Sequence, residues 1–465
     1  MGKKNRPIMI LGCTSDAGKS LIVTAICRLL ANRGVKVAPF KAQNMSNNAA
    51  ITDNGLEMGR AQYLQALAAK ITPSVLMNPI LLKPSSETSS QVIVNGIVNN
   101  EISHCPWMQR KAFLWPKVQS ALHSLQEEYE QVVIEGAGSP AEINLRAGDI
   151  VNMAVALECN ADVYLLSDID KGGSFAHLLG TWAALAPEEQ RLIKGFVLNK
   201  FRGDPLLLGN AMQWLEDKTG IPTVANIPYY RHQLPEEDSF RFGRKWQRGA
   251  INIALIYYPY ASNLDEFDPL MFQDDINLVP VHQNEDLCHY DALILPGSKN
   301  SGVSLEFLKV SGLDKRIAQF KGTGKLMLGI CGGLQILGKQ ILDPLNIEDG
   351  DKKGLSLINL VTQLEASKST LQTSISFLGG NIEGYQIHHG KTVADEYVVP
   401  FLQEGLGWQM DNIYTTYLHG VFENKVFYDW FMRKVNGREN GIDWKKHMDN
   451  ELDKLADMFS KHGWM

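Results

Sequence analysis

The 465-residue chain has no CxxC pair, and its six cysteines, at 13, 27, 105, 159, 288 and 331, are scattered over both halves. None has a histidine beside it at zinc-finger spacing. Neither a disulfide framework nor a structural metal site is expected, and the thiols read as reduced, as in a cytoplasmic protein. The chain also lacks any long Lys/Arg run, and 45 basic against 51 acidic side chains give a formal charge of −6. Nucleic acid is therefore not expected as a partner. No apolar run reaches bilayer length, and the apolar stretch after MGKKNR is too short for a secretion signal. Arg6 occupies the place where a myristoylation signal requires Ser or Thr, so neither a membrane span nor an anchor is expected. Internal repeats and low-complexity tracts are absent too. What remains is ordinary globular composition, 45% hydrophobic, 21% charged and 9% aromatic, in a chain long enough for several cores. A net-negative chain repels anions, so an anionic substrate would need cations supplied locally.

Two α/β patterns follow one another. In the first, the apolar segments PIMILG, VKVAPFK, EQVVIEGAG, ADVYLLSD and IKGFVLNKF alternate with helical stretches such as SLIVTAICRLLANRG and EMGRAQYLQALAAK. Short continuous apolar strands between helices predict a parallel sheet covered on both faces. The charged, Pro- and Gly-containing stretch around 228–250 shows neither helix nor strand period and reads as a connection. A second series then begins with INIALIYYPY, INLVPVH, YDALILPGS and KLMLGICGG. Near the end, Leu452, Leu455, Ala456 and Phe459 recur at i, i+3, i+4, i+7, which predicts an amphipathic docking helix. The expected organisation is a first domain over 1–235, a linker over 236–250, a second domain over 251–440 and a terminal helix over 441–465.

Between the first strand and the first helix lies GCTSDAGKS, Gly12 to Ser20. Glycines there let successive N–H groups curl around an anion, and the following helix start adds its positive end. Lys19 would reach the β- and γ-phosphates and the Ser20 hydroxyl would ligate Mg²⁺. Five residues rather than four separate Gly12 from Gly18. Glu135, ending the strand in VVIEGAG, stands where parallel-sheet enzymes place a carboxylate for Mg²⁺. Lys41, after the second strand, can bring positive charge to the same edge. Asp168 and Asp170 end another strand, and either metal binding or capping of the next helix accounts for them.

In KLMLGICGGLQILGKQ an apolar strand runs into Cys331 flanked by small residues and then into a helix, the pattern of a nucleophile elbow with Cys in place of Ser. The helix start favours a thiolate, and the Gly332 N–H is placed to stabilise an oxyanion. A thiolate needs a base, and the second half offers His282, His289, His388, His389 and His419. His419, after the β-type segment IYTTYL, is the best candidate, with His388 and His389 as the rival pair.

Taken together, GCTSDAGKS, KAQNMSNN, EMGRAQ, NPILLKP, VIEGAGSPAEINL, DKGGSFAH, NKFRGD and the Cys331 and His419 segments resemble the cobyric acid synthase family over nearly the whole chain. The first half is similar in fold to dethiobiotin synthetase, which shares the longer phosphate-loop spacing. The resemblance implies a P-loop NTPase-type parallel sheet followed by a class I glutamine amidotransferase-like α/β domain. It implies a carbon–nitrogen ligase that uses ATP, Mg²⁺ and glutamine to amidate a small corrinoid, at the b, d, e and g carboxylates of adenosylcobyrinic acid a,c-diamide. Gly12, Asp16, Gly18, Lys19, Ser20, Lys41 and Asn199 would surround the nucleotide, with Asn199 at the adenine. Ser20 and Glu135 would hold Mg²⁺. Cys331 and His419 would hydrolyse glutamine, with Gly297 and Gly332 as the oxyanion hole. Many class I glutaminases carry an acid two residues after the catalytic His, but here that residue is Val421 and the nearest acid is Glu423. A dyad, or an orienting group from elsewhere, is therefore expected. The rival readings are cobyrinic acid a,c-diamide synthase or another ATP-dependent amidotransferase, and more distantly a partition-type ATPase switch. The switch is disfavoured because positions 13–17 contain no early lysine. Oligomeric state is left open.

Overall fold

The computed structural model describes residues 5–84, 89–235, 247–348 and 350–465. Of the expected linker, residues 236–246 lie outside the described residues. The chain forms two compact units, Met1–Ser46 with Glu57–Glu237 and Met448–Met465, and Asn47–Leu56 with Asp238–His447.

The first unit is built on six parallel strands: β1 (Ile8–Gly12), β2 (Val37–Phe40), β3 (Gln131–Glu135), β4 (Asp162–Asp168), β5 (Ile193–Phe201) and β6 (Thr223–Pro228). Their order is β6-β5-β4-β1-β3-β2, with Ile10 of β1 opposite both Tyr164 and Glu135. Every residue of β1, β2 and β3 is buried, as strands covered on both faces require. Helix α1 (Lys19–Asn32) follows β1 and buries Ile22, Val23, Ile26 and Leu29. Two more helices matter below, α2 (Arg60–Ala68) and α3 (Trp107–Glu128).

The second unit carries a seven-stranded sheet. Its strands include β7 (Ile251–Ile256), β8 (Ile276–Val281), β9 (Ala292–Leu295) and β10 (Leu326–Ile330). After β10 comes the six-residue helix α4 (Gly332–Leu337) and a long antiparallel hairpin, β11 (Leu360–Phe377) and β12 (Gly380–Ala394). The chain then returns through β13 (Val399–Leu402), β14 (Gly407–Met410) and β15 (Ile413–Thr416), giving the order β8-β7-β9-β10-β15-β14-β13. The first five are parallel and the last two antiparallel.

Helix α5 (Trp444–His462) buries Leu452, Leu455, Ala456 and Phe459 in a core shared with Ile22 and Ile26 of α1. Each such large apolar side chain contributes about 1.5–3 kcal/mol. Arg28 of α1, fully buried, is held by Asp449 at 2.6 Å and Asp453 at 2.7 Å on α5, so a guanidinium in the core keeps its counter-charges.

Candidate active site

The turn from β1 to α1 is held from the neighbouring strands. Gly18 has φ +97, and a Cβ there would stand 2.3 Å from Asn199 Nδ2, so only glycine fits. Asn199, buried on β5, donates from Nδ2 to the Ala17 carbonyl at 2.8 Å. The next residue, Lys200, donates to the Asp16 carbonyl at 2.7 Å and pairs with Asp168 at 2.9 Å. Asp16 itself lies at φ +56 with its side chain exposed. Asp170 pairs with Arg202 at 3.1 Å, so both acids ending β4 are engaged by cations of the β5 region. Lys19 folds over the loop, its Nζ donating to the Gly138 carbonyl at 3.3 Å and lying 3.0 Å from where a Gly12 Cβ would be.

Glu135 is the centre of a buried polar cluster. Its Oε1 accepts from Ser20 Oγ at 2.8 Å and pairs with Lys41 Nζ at 2.8 Å, while Oε2 accepts from Gln65 Nε2 at 2.6 Å. A carboxylate without solvent needs that degree of compensation. Gln65, on α2, is fully buried, and its Oε1 has no hydrogen-bond partner. Sequence reasoning took EMGRAQYLQALAAK as a helix, with EMGRAQ among the family-like segments, and singled out neither glutamine as a site residue. The signal it carried was the i, i+3 pair Gln62 and Gln65, two amides that share one face. A hydroxyl, a carboxylate and an orphaned amide oxygen form a hard-oxygen donor set that suits Mg²⁺, which takes few protein ligands and completes its shell with phosphate and water. Among the described residues, no group of three or more His, Cys, Asp and Glu side chains could hold a metal.

In the second unit, four strands adjacent in the sheet, β7, β9, β10 and β15, deliver one residue each to the same carboxyl edge: Glu266, Gly297, Cys331 and His419. Cys331 sits at φ +49, ψ −103, a strained conformation for a residue with a side chain. The turn is compressed around it, since a Cβ on Gly332 would lie 2.6 Å from Ser298 N. Parallel pairing of Ile330 with Thr416, and the 2.7 Å bond from Cys331 N to Thr416 O, put the residues just past β15 beside the elbow.

His419 is 1% exposed and stacked on Tyr385. Its Nδ1 donates to Glu266 Oε1 at 3.0 Å, and Glu266 Oε2 accepts from the Gly420 N–H at 3.0 Å. The other ring nitrogen, Nε2, is buried with no hydrogen bond. Burial by itself pushes the imidazole towards the neutral form, but the Glu266 charge and the Cys331 sulfur outweigh it, and the pKa rises from 6.5 to about 10. A Cβ on Gly297 would stand 3.0 Å from His419 Cε1, so this glycine borders the same space.

The other histidines are engaged differently. His388 stacks on Tyr417; its Nδ1 donates to Gly390 O at 2.8 Å, and its Nε2 lies 3.3 Å from the Gln386 side-chain amide. Burial lowers its pKa to about 4, helped by the neighbouring histidines, so it is neutral. His389 Nδ1 bonds Glu365 O at 3.0 Å. His282 and His289 are exposed.

Sequence reasoning did not find Glu266, which lies 153 residues before His419 in an unremarkable NLDEFD. It sits in a short turn, Leu264–Phe267, that starts after Asn263 at φ +56. Asn263 is tied to the segment 47–56 by two bonds, Asn263 N to Asn48 Oδ1 at 2.8 Å and Ala49 N to Asn263 Oδ1 at 3.1 Å. The amide-rich KAQNMSNN thus uses Asn48 to hold the turn that carries Glu266.

Family models match both halves: residues 8–239 match a CobQ/CobB/MinD/ParA nucleotide binding domain, and residues 252–427 a CobB/CobQ-like glutamine amidotransferase domain. The whole chain is similar to curated proteins named cobyric acid synthase. That of Polaromonas naphthalenivorans (strain CJ2) is 48% identical over 444 residues, 90% of this chain and 91% of the relative. That of Deinococcus radiodurans is 47% identical, covering 91% and 92%, and that of Albidiferax ferrireducens is 46% identical, covering 98% and 97%.

Proposed function

The chain belongs to the cobyric acid synthase family, and from that premise we propose that it converts adenosylcobyrinic acid a,c-diamide to adenosylcobyric acid by amidating the b, d, e and g carboxylates. It is a glutamine-dependent ligase with a P-loop-type nucleotide-binding half and a glutamine amidotransferase half. The observation that carries the glutamine chemistry is the convergence of Glu266, Gly297, Cys331 and His419 on one sheet edge, in a chain that also holds the Lys19, Ser20 and Glu135 cradle; the corrin substrate is argued from the cobyric acid synthase relatives.

Glutamine binds beside Cys331, whose sulfur attacks the side-chain amide carbon. The oxyanion that forms is met by the Gly332 and Gly297 N–H groups. His419 Nε2 delivers a proton to the departing nitrogen, and the C–N bond breaks to release ammonia and leave a glutamyl thioester. His419 then takes a proton from water as it attacks the thioester, and glutamate leaves with Cys331 restored. Glu266 fixes the imidazole's orientation and stabilises its charged form, the role of the acid in a Cys-His-acid triad.

In the other half, a substrate carboxylate attacks the γ-phosphorus of ATP, giving an acyl phosphate and ADP. Ammonia then displaces phosphate to form the amide. Lys19 neutralises charge on the transferred group, Lys41 pairs with Glu135, and Asn199 and Lys200 hold the loop in shape. Ser20 and Glu135, with Gln65 beside them, would hold Mg²⁺, which when bound supplies charge neutralisation at the phosphates.

The test is incubation of the full chain with the a,c-diamide, MgATP and glutamine, counting added amides by mass spectrometry. Amidation at b, d, e and g is expected. If the a,c-diamide is inert and only the a and c carboxylates of cobyrinic acid react, the substrate reading is wrong.

A further inference from the structure

We propose that the cleft between α3 and the turn following β3, which encloses about 160 Å³ and opens to solvent, receives the corrin macrocycle, an apolar-faced ring with a carboxylate- and amide-bearing rim. This inference rests on the function proposed above and names the place in the nucleotide-binding unit where that substrate binds.

The position fits phosphoryl transfer. Gly138 forms part of the wall, and its carbonyl is the group on which Lys19 Nζ rests. A rim carboxylate at that end therefore lies next to the lysine that serves the transferred phosphoryl group, within the same unit.

The lining fits the ring. Trp107, at the start of α3, leaves its indole 43% exposed, and Leu145 on the facing turn is 47% exposed. Gly148 brings that turn close to Trp107, since a Cβ on it would lie 4.0 Å from the indole nitrogen. Leu114, Ile150 and Met153 form the buried floor. Large apolar side chains left open to solvent around a concavity mark a binding surface.

The charge fits the rim. Lys111 lines the cavity, donates to the Ala147 carbonyl at 3.2 Å and makes no ion pair among the described residues. Arg146, also on the wall, is paired with Glu189. Asp149 directs both carboxylate oxygens at backbone N–H groups of residues 151, 152 and 154. Glu142 on the same wall suits the amide N–H groups that such a rim carries. In a chain of charge −6, Lys111 is the local cation that an anionic substrate requires. A site that grips the faces rather than any one rim position also lets the ring turn, so that successive carboxylates reach the Gly138 end.

The experiment is equilibrium dialysis of adenosylcobyrinic acid a,c-diamide against the full chain without ATP, followed by the corrin's visible absorbance. Trp107→Ala, Lys111→Glu and Leu145→Glu are each expected to weaken binding by about tenfold or more. Phe113→Ala, an exposed position on α3 outside the cavity, is expected to leave binding unchanged. ATP affinity of every variant reports whether the unit is folded. If Trp107→Ala loses ATP affinity as well, the two surface charge variants decide by the same criterion. Binding by those variants at the unaltered affinity overturns the inference alone. Failure of the unaltered protein to bind the corrinoid overturns the function reading together with it.

Discussion

Replacing Glu266 with Gln keeps the size of the side chain and removes its charge. Two donors face the carboxylate, His419 Nδ1–H and the Gly420 N–H, each at 3.0 Å. A Gln amide has one oxygen to offer, so one donor is left facing an NH₂ group in a buried site. The larger loss is electrostatic. Charges about 4 Å apart at an effective dielectric of about 20 attract by about 4 kcal/mol. If that stabilisation is felt by the imidazolium in the transition state, glutaminase kcat/KM falls about a thousandfold, at about 1.4 kcal/mol per decade. The pH dependence follows from the same ion pair. With its pKa raised from 6.5 to about 10, His419 holds a proton across the neutral range. The pair's contribution to stability is complete below pH 6.5 and disappears as pH rises through about 10. Without the Glu266 charge, burial dominates and the pKa falls, so the variant's alkaline limb moves towards neutrality and its deficit is larger at high pH. The assay is glutamate release from glutamine between pH 6 and 10 with ATP and corrinoid present, set beside amidation driven by free ammonia. Glutaminase activity within about threefold of the unaltered protein, with the alkaline limb unmoved, would refute the role given to Glu266. Loss of ammonia-driven amidation too would make the effect structural.

Cys331→Ala should abolish glutamine-dependent amidation while amidation with ammonium salts continues; comparing the two rates on one preparation checks it. Asn48→Ala removes the acceptor for the buried Asn263 N–H, a change of about 1–3 kcal/mol, and should lower glutaminase kcat more than it raises glutamine KM. An unchanged kcat would mean that Asn48 does not hold the Glu266 turn. Glu135→Gln should weaken ATP binding in the presence of Mg²⁺ by about tenfold or more and narrow the difference between affinities measured with Mg²⁺ and with EDTA, read by calorimetry. Equal Mg²⁺ dependence in the variant and the unaltered protein would remove Glu135 from the metal site.

The local devices were legible along the chain, because each depends on the backbone geometry of a few consecutive residues. GCTSDAGKS needs a strand before it and a helix after it, and both are written in the apolar pattern around it. Cys331 needs small neighbours and a following helix, and GICGGLQIL contains them. The two series of apolar strands likewise announced a parallel sheet and a second α/β sheet, and the i, i+3, i+4, i+7 stripe at Leu452 announced α5. Five histidines could be ranked but not decided between by sequence. The pairing of β10 with β15 decided that His419 meets Cys331, while burial leaves His388 neutral.

Glu266, Gln65 and Asn48 were beyond such reading for a common reason. Each acts on a partner far away in sequence, and nothing in its own neighbourhood distinguishes it from a surface acid, a helix amide or a loop amide. Glu266 reaches His419 only because β7, β9, β10 and β15 are adjacent in the sheet although other strands separate them along the chain. Gln65 meets Glu135 from a separate helix. The same holds for the cavity beside Gly138, whose walls come from α3 and from the turn after β3. The sequence by itself determined the two sheets, the phosphate loop and the strained elbow at Cys331, since contiguous residues encode strand, turn and helix. Only the tertiary structure decided which acid completes the histidine and which surfaces face the substrate, because strand order and helix packing set those contacts.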